Sequence, residues 1–135
     1  MTDSVIFLDA DGSYSFEGVR TILAYLEDGS EVVSGSRFLN GNIVGMSRLH
    51  RFGNRMLSLI SSIRNRRKIS DLCTGLWGFK SDSLLCMEIR SKGFDLEAEL
   101  AGLCRRNGLK HHEAPVIWSQ RKGGVSKLRS ITDGF

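Results

Sequence analysis

The chain has 135 residues, 41% of them hydrophobic and 25% charged, a composition that suits one soluble globular domain and excludes a disordered or fibrous chain. No apolar run approaches a membrane span, the N-terminus lacks a basic-then-apolar signal pattern, and Cys73, Cys86 and Cys104 are too widely spaced for a Cys-x-x-Cys metal site or a disulfide framework, so reduced cytosolic thiols are expected. The net charge of +4 hides an asymmetry: residues 1–31 carry −6, residues 32–70 carry +8 with no acid at all, and residues 71–135 carry +2, so the middle third predicts an anionic partner such as nucleotide phosphate, lipid phosphate or an acidic membrane surface.

Val5-Ile6-Phe7-Leu8 reads as a buried strand, and Asp9-Ala10-Asp11-Gly12-Ser13 follows at its end. A period-two pleat puts Asp9 and Asp11 on one side, and two carboxylates before a glycine turn suit a hard divalent cation that keeps part of its shell for substrate phosphate. The expectation is a metal-phosphate site at the carboxyl edge of a parallel sheet. The bland alternative is a strand that ends in a solvated acidic turn. A helix follows over about Phe16 to Leu26, with Ser15 as its cap, Gly29 past its end, and Phe16, Val19, Ile22, Leu23 and Leu26 as its buried face.

A strand is expected over Glu31 to Ser34, then Gly35-Ser36-Arg37 and a Gly- and Asn-rich loop over Phe38 to Gly45. A long helix covers about Met46 to Arg66. Leu49, Phe52, Met56, Leu59, Ile60 and Ile63 fall at helical spacing, and Arg48, Arg51, Arg55, Arg64, Arg66, Arg67 and Lys68 surround them. Such a helix either lies in a membrane interface or packs on the sheet with solvated arginines. A strand or turn at Cys73 to Phe79, helices at about Asp82 to Ile89 and Leu96 to Arg106, and a strand from Lys110 to Trp118 complete the α/β pattern. Pro115 in that last strand points to an edge or a strand end. Adjacent His111 and His112 face opposite sides of a strand and so do not form a chelate. A glycine-rich basic tail runs from Ser119. No internal repeat or linker divides the chain.

Six segments now line up in order: Phe7-Leu8-Asp9-Ala10-Asp11, Val33-Ser34-Gly35-Ser36-Arg37, Ser70-Asp71-Leu72-Cys73-Thr74-Gly75, Gly93-Phe94-Asp95-Leu96-Glu97, Glu113-Ala114-Pro115-Val116, and Arg121-Lys122-Gly123-Gly124-Val125-Ser126-Lys127-Leu128. In this order the whole chain resembles glycosyltransferase family 2, in its dolichyl-phosphate mannosyltransferase-like (polyprenyl-phosphate glycosyltransferase) branch. The resemblance implies a partial GT-A, Rossmann-like α/β fold, a mixed sheet flanked by helices, with residues 1–135 forming the C-terminal part of one catalytic domain. It implies metal-dependent, inverting transfer of a sugar from a nucleotide-diphosphate sugar to a polyprenyl phosphate, at the cytoplasmic face of a membrane.

On that resemblance Asp9 and Asp11 match the motif for Mg²⁺ or Mn²⁺, and Ser13 stands where relatives often have a glutamine ligand. Asp71 matches the acceptor-side carboxylate, as a base or as a group that orients the acceptor. Arg37, Arg121, Ser126 and Lys127 match positions that hold donor diphosphate or acceptor phosphate. Thr74, Gly75 and Glu97 are further site candidates, with Glu99 a rival to Glu97. The family's early strand, its Pro-x-x-Asn-Glu-like turn and its base-reading acid would precede the Asp-x-Asp strand, where this chain has only Met1 to Ser4. The resemblance therefore implies that the chain is a fragment of a longer enzyme or that another polypeptide supplies the nucleotide-binding half, that the isolated chain is inactive or nearly so, and that the sheet has an unpaired edge.

Two rival readings stand beside it. A hydrophobic strand followed by Asp-x-Asp-Gly-Ser also resembles the first motif of haloacid-dehalogenase-type phosphatases, with Asp9 as nucleophile and Asp11 as acid, although the late acidic pair of that family is lacking. The other reading is a non-catalytic fragment that binds a partner or a membrane. No motif points to sequence-specific nucleic-acid binding.

Overall fold

Side-chain size and pleat sort the core onto two sides of one sheet. The computed structural model describes residues 3–39, 43, 45–93 and 95–119. The strands are β1 (Ser4–Leu8), β2 (Val32–Ser36), β3 (Leu76–Lys80) and β4 (His111–Pro115); the helices are α1 (Phe16–Glu27), α2 (Arg48–Asn65), α3 (Ser81–Leu85) and α4 (Leu96–Arg106). The strand order is β1-β3-β2-β4. β1 and β2 both pair antiparallel with β3, and β2 pairs parallel with β4. The sheet is thus mixed and flanked by helices, as expected, but the Asp-x-Asp strand is antiparallel to its neighbour rather than part of a parallel sheet.

On one face, Val33, Leu76 and Ala114 pack with Ile22 and Leu26 of α1. Gly78 makes that packing close, because a Cβ there would lie 2.2 Å from Ile22 Cγ2. On the other face, Val32, Trp77 and Phe79 pack with Leu100, Leu103 and Cys104 of α4. Ser15 caps α1 by accepting from the Gly18 N–H at 3.3 Å, and Ser47 caps α2 by accepting from His50 N–H at 3.1 Å.

Several expected elements differ in extent. Val5 to Leu8 is an outer strand rather than a buried one, with Phe7 43% and Leu8 48% exposed. Phe16 lies outside the buried face of α1, under the Arg20 guanidinium at 5.7 Å. Cys73 to Gly75 form the turn that enters β3, α3 ends at Leu85 instead of Ile89, and β4 stops at Pro115. The proline supplies no amide donor, which fits its place at the end of an outer strand. Beyond it, Trp118 rejoins the fold through an isolated antiparallel bridge to Tyr14. His111 faces inward with Nε2 2.8 Å from Ser34 Oγ, while exposed His112 meets Ser30 Oγ at 2.8 Å through Nδ1, the opposed arrangement expected of neighbours in a strand.

Candidate active site

Because β3 runs against its neighbours, its first residues meet the last residues of β1, β2 and β4 at one end of the sheet. Asp9, Arg37, the Thr74–Gly75 turn and Trp118 gather there. The Asp9 N–H donates to Gly75 O at 3.0 Å. A Cβ at Gly75 would stand 2.0 Å from Asp9 Oδ2, so the absent side chain is what leaves room for the carboxylate. Asp11 lies in the turn after β1, so a turn and not a pleat orients it. The Ser13 N–H donates to Asp11 Oδ1 at 3.0 Å, and the buried Ser13 hydroxyl donates to the same oxygen. Ser13 therefore braces Asp11.

Arg37 is held from several sides. Its Nε and its backbone N–H donate to Asp71 Oδ2 at 2.7 and 3.0 Å, and its Nη2 donates to Asp71 Oδ1 at 2.8 Å. Nη2 also reaches Cys73 O at 3.3 Å, and the Phe38 and Trp118 rings lie 6.0 and 5.7 Å from Cζ. Burial opposes the Arg37 charge, but hydrogen bonding and attraction from Asp71 outweigh it and hold the guanidinium above its ordinary value. Nη1 is the guanidinium nitrogen that has no hydrogen-bond partner among the described residues.

Asp71 is 1% exposed and accepts a fourth hydrogen bond from Asn54 Nδ2 at 2.8 Å. With its oxygens so occupied, it is an anchor for Arg37 and for its own turn. Glu113 supports the same turn by accepting from the Ser70 N–H, the Ser70 hydroxyl and the Asp71 N–H. Buried Tyr14 accepts from the Gly75 N–H at 2.8 Å and meets Thr74 Oγ1 at 3.3 Å, so Thr74, which is 0% exposed, serves the turn from inside.

The two glutamates of α4 separate cleanly. Glu99 accepts from the Arg90 and Ser91 N–H groups at 2.8 and 2.7 Å and so fastens a neighbouring loop. Glu97 is half-buried; burial, with the negative charges of Asp9 and Asp95, pushes its carboxyl up to about 6. Cys73 is pushed up to about 11, by burial first and then by Asp71 and Glu97, which leaves it a protonated, unreactive thiol at neutral pH. Arg121, Ser126 and Lys127 lie outside the described residues.

Sequence reasoning did not assign Tyr14, Asn54 or Trp118 to the site, named Glu113 only within a motif, and left open which face α2 buries. Asn54, Ser58, Ser61 and Asn65 point inward. Asn54 Oδ1 accepts from Cys73 N–H at 3.0 Å, and Ser58 Oγ accepts from Leu72 N–H at 2.9 Å. The apolar stripe faces out, with Phe52 64%, Leu59 53%, Ile60 57% and Ile63 70% exposed. The polar repeat at i, i+4, i+7 and i+11 was the available signal. On the same helix, Arg51 Nη2 donates to Ile43 O at 2.5 Å, and its Nε is buried without a hydrogen-bond partner among the described residues.

The donor chemistry at the sheet end is all oxygen, as Mg²⁺ and Mn²⁺ prefer. Among the described residues no three His, Cys, Asp or Glu side chains come together as a metal cage. Asp9 and Asp11 bring only carboxylate oxygens to this end of the sheet, the donor class that such ions take.

No family model matches the chain. Among curated proteins it is similar to glycosyltransferase AglJ of Haloferax volcanii, 32% identical over 131 residues, which are 96% of this chain and 43% of the relative. It is similar to the dolichyl-phosphate hexose transferase of the same organism, 29% identical over 96% of this chain and 56% of the relative. It is also similar to the polyprenol monophosphomannose synthase of Mycolicibacterium smegmatis, 26% identical over 92% of this chain and 48% of the relative. The chain spans about half the length of the curated relatives it matches. The resemblance to polyprenyl-phosphate glycosyltransferases of the dolichyl-phosphate mannosyltransferase type is borne out by these relatives, named a glycosyltransferase, a dolichyl-phosphate hexose transferase and a polyprenol monophosphomannose synthase. No helix among the described residues is long and apolar enough to cross a membrane.

Proposed function

We propose that this chain carries the metal and acceptor side of a glycosyltransferase that moves a sugar from a nucleotide diphosphate to a polyprenyl phosphate, with inversion at the anomeric carbon. The observation that carries the reading is the meeting, at one sheet end, of the Asp9 carboxylate over Gly75 with the Arg37 guanidinium anchored on Asp71. The named relatives support the chemistry and lend nothing to the phosphatase alternative.

In this reading an acceptor phosphate oxygen forms the new bond to the anomeric carbon as the bond from that carbon to the diphosphate breaks, and the nucleoside diphosphate departs with the electron pair. The acceptor is already ionised at neutral pH, so no side chain has to remove a proton. Asp9 and Asp11 would hold Mg²⁺ or Mn²⁺, and the ion would neutralise the leaving diphosphate. Ser13 keeps Asp11 in place. Arg37, through Nη1, offers a directed donor to phosphate oxygens. Asp71 acts through Arg37 as a positioning residue. Arg121, Ser126 and Lys127, outside the described residues, match family positions for the remaining phosphate contacts.

The exposed apolar face of α2, with arginines on both sides, lies on an anionic membrane surface and brings the site to a lipid-borne acceptor. The protein is peripheral to the cytoplasmic face of that membrane. The donor's nucleotide is held by a further polypeptide segment that pairs along the outer edge of β1, beside half-exposed Phe7 and Leu8. Isolated, the chain transfers little or no sugar.

The test is transfer from a panel of nucleotide sugars to polyprenyl phosphate in vesicles, with Mn²⁺, Mg²⁺ or chelator. The chain is assayed alone and joined to the part of Haloferax AglJ that it does not match. Metal-dependent transfer by the joined protein, lost in Asp9→Asn and Asp11→Asn, is the expected result. Transfer that survives both substitutions, or none under any condition, overturns the reading.

A further inference from the structure

Beyond the sheet end, the strongest unassigned feature is a groove of about 460 Å³ between the second half of α2 and the segment that returns beside it. Arg66 ends α2 in the left-handed conformation (φ 51°), which turns the chain back along the helix. Ser62 fastens the return: its carbonyl accepts from Arg67 N–H at 3.0 Å, and its Oγ accepts from Ile69 N–H at 2.8 Å. The groove so formed is walled by Leu59 and Ile63 and carries Arg55, Arg67 and Lys68.

Charge and shape point to one kind of occupant. Residues 32–70 contain no acid. The nearby carboxylate, Glu113, is turned to the Ser70 and Asp71 backbone and to the Ser70 hydroxyl. The guanidinium of half-buried Arg67 has neither an ion pair nor a hydrogen bond among the described residues. Burial draws Arg67 below its ordinary value, with Glu113 opposing that shift, so an added anion would relieve an incompletely compensated cation. The apolar walls add a second requirement. Leu59 and Ile63 are 53% and 70% exposed and belong to the same outward stripe as Phe52 and Ile60, so the groove opens directly onto the face assigned to the membrane.

We propose that this groove is a discrete binding site for an anionic phospholipid, with the headgroup phosphate on Arg67 and Lys68 and an acyl chain along Leu59 and Ile63. The proposal rests on the membrane reading of α2 and adds to it a stoichiometric lipid site in place of diffuse attraction. Volumes of roughly 300–1,000 Å³ are usual for small-ligand sites, so a headgroup and the start of one chain fit. A soluble phosphate would gain nothing from the apolar walls.

The test compares flotation with phosphatidylglycerol and phosphatidylcholine vesicles at about 0.5 M salt, where screening acts within a few Å. Wild type should keep its phosphatidylglycerol preference there. Arg67→Gln and Lys68→Gln should lose it, whereas Arg106→Gln, on the exposed side of α4 and outside the groove, should keep it. Circular dichroism checks that each variant is folded, and Arg67→Lys, which keeps the charge, should retain most of the preference. In solution, short-chain phosphatidylglycerol below its micelle concentration should shift the Arg67 Nε–H resonance at concentrations where inorganic phosphate does not.

Equal loss in Arg106→Gln, or an equal response to inorganic phosphate, overturns the lipid site while the membrane reading stands. Equal binding of wild type to both vesicle types does the same. Binding to neither type, even at low salt, overturns both.

Discussion

Asp71 grips Arg37 twice, through the backbone N–H at 3.0 Å and through Nε and Nη2 at 2.7 and 2.8 Å. Both residues are nearly sealed from solvent, at 1% and 9% exposure. Removal of one member leaves a buried charge unpaired, a loss of about 3–5 kcal/mol in comparable cases. Asp71→Asn should therefore destabilise by that order in urea unfolding, with Asp71→Asn/Arg37→Met less unstable than the sum of its single variants. A loss below about 1 kcal/mol for Asp71→Asn would show that the pair is not held as described.

Gly75→Ala separates site from fold. The added methyl would meet the exposed Asp9 carboxylate, which has solvent to move into, rather than the core. Affinity for Mn²⁺ with a nucleoside diphosphate should fall by roughly tenfold, the effect of about 1.4 kcal/mol, while the melting temperature moves little. Calorimetric titration beside a thermal melt decides it. Unchanged affinity would remove Asp9 from the ion's shell.

His111 gives the fold a pH dependence of known sign. Burial, with the positive charges of Arg67 and His112 adding to it, lowers its pKa from 6.5 to about 3. The unfolded chain therefore binds more protons than the folded one between those values. Stability from keeping His111 neutral is complete above about pH 6.5 and is lost as pH falls toward 3, with a limiting slope of about 1.4 kcal/mol per pH unit. Glu97, raised from 4.5 to about 6, has the opposite sign: its contribution is complete below 4.5 and is lost as pH rises through 6. Urea unfolding at pH 7, 6, 5 and 4 should show a loss on acidification that is shallower in His111→Gln. Equal slopes in the two proteins would remove His111 as the cause.

α2 should tolerate on one face what it cannot tolerate on the other. Ile60→Asp and Ile63→Asp fall on exposed positions, so folding stability should change by no more than about 0.5 kcal/mol, while vesicle binding drops. Ser58→Val falls on the buried face and removes the acceptor of the Leu72 N–H. A cost of about 1–3 kcal/mol is expected from the unsatisfied donor. Paired flotation and unfolding measurements check both. An unfolding loss in the Asp variants as large as that of Ser58→Val would mean that the apolar stripe is packed.

The sequence by itself determined the alternation of strands and helices, the positions of α1 and α4, the place of Pro115 at the end of an outer strand, and the order of segments that carries the resemblance. These follow from local period, capping residues and motif spacing, which need no neighbour to be read. Only the tertiary structure decided which face of each element is inside. Val5 to Leu8 reads as a buried strand because it is continuously apolar, yet half of Phe7 and Leu8 stays in solvent because β1 has a described neighbour on one side only. In sequence, α2 is open to two readings, an apolar stripe packed on the sheet or one turned outward to a membrane. The helix buries Asn54 and Ser58 and leaves the stripe outside, because the Leu72 and Cys73 amide groups and the Asp71 carboxylate require polar partners there. Asp71 and Glu97 were visible as acids, but their surroundings were not. One is saturated by Arg37 and Asn54, and the other is desolvated beside Asp9, because those neighbours lie 17 to 88 positions away in the chain and meet only when the sheet brings β1, β2 and β3 to one end.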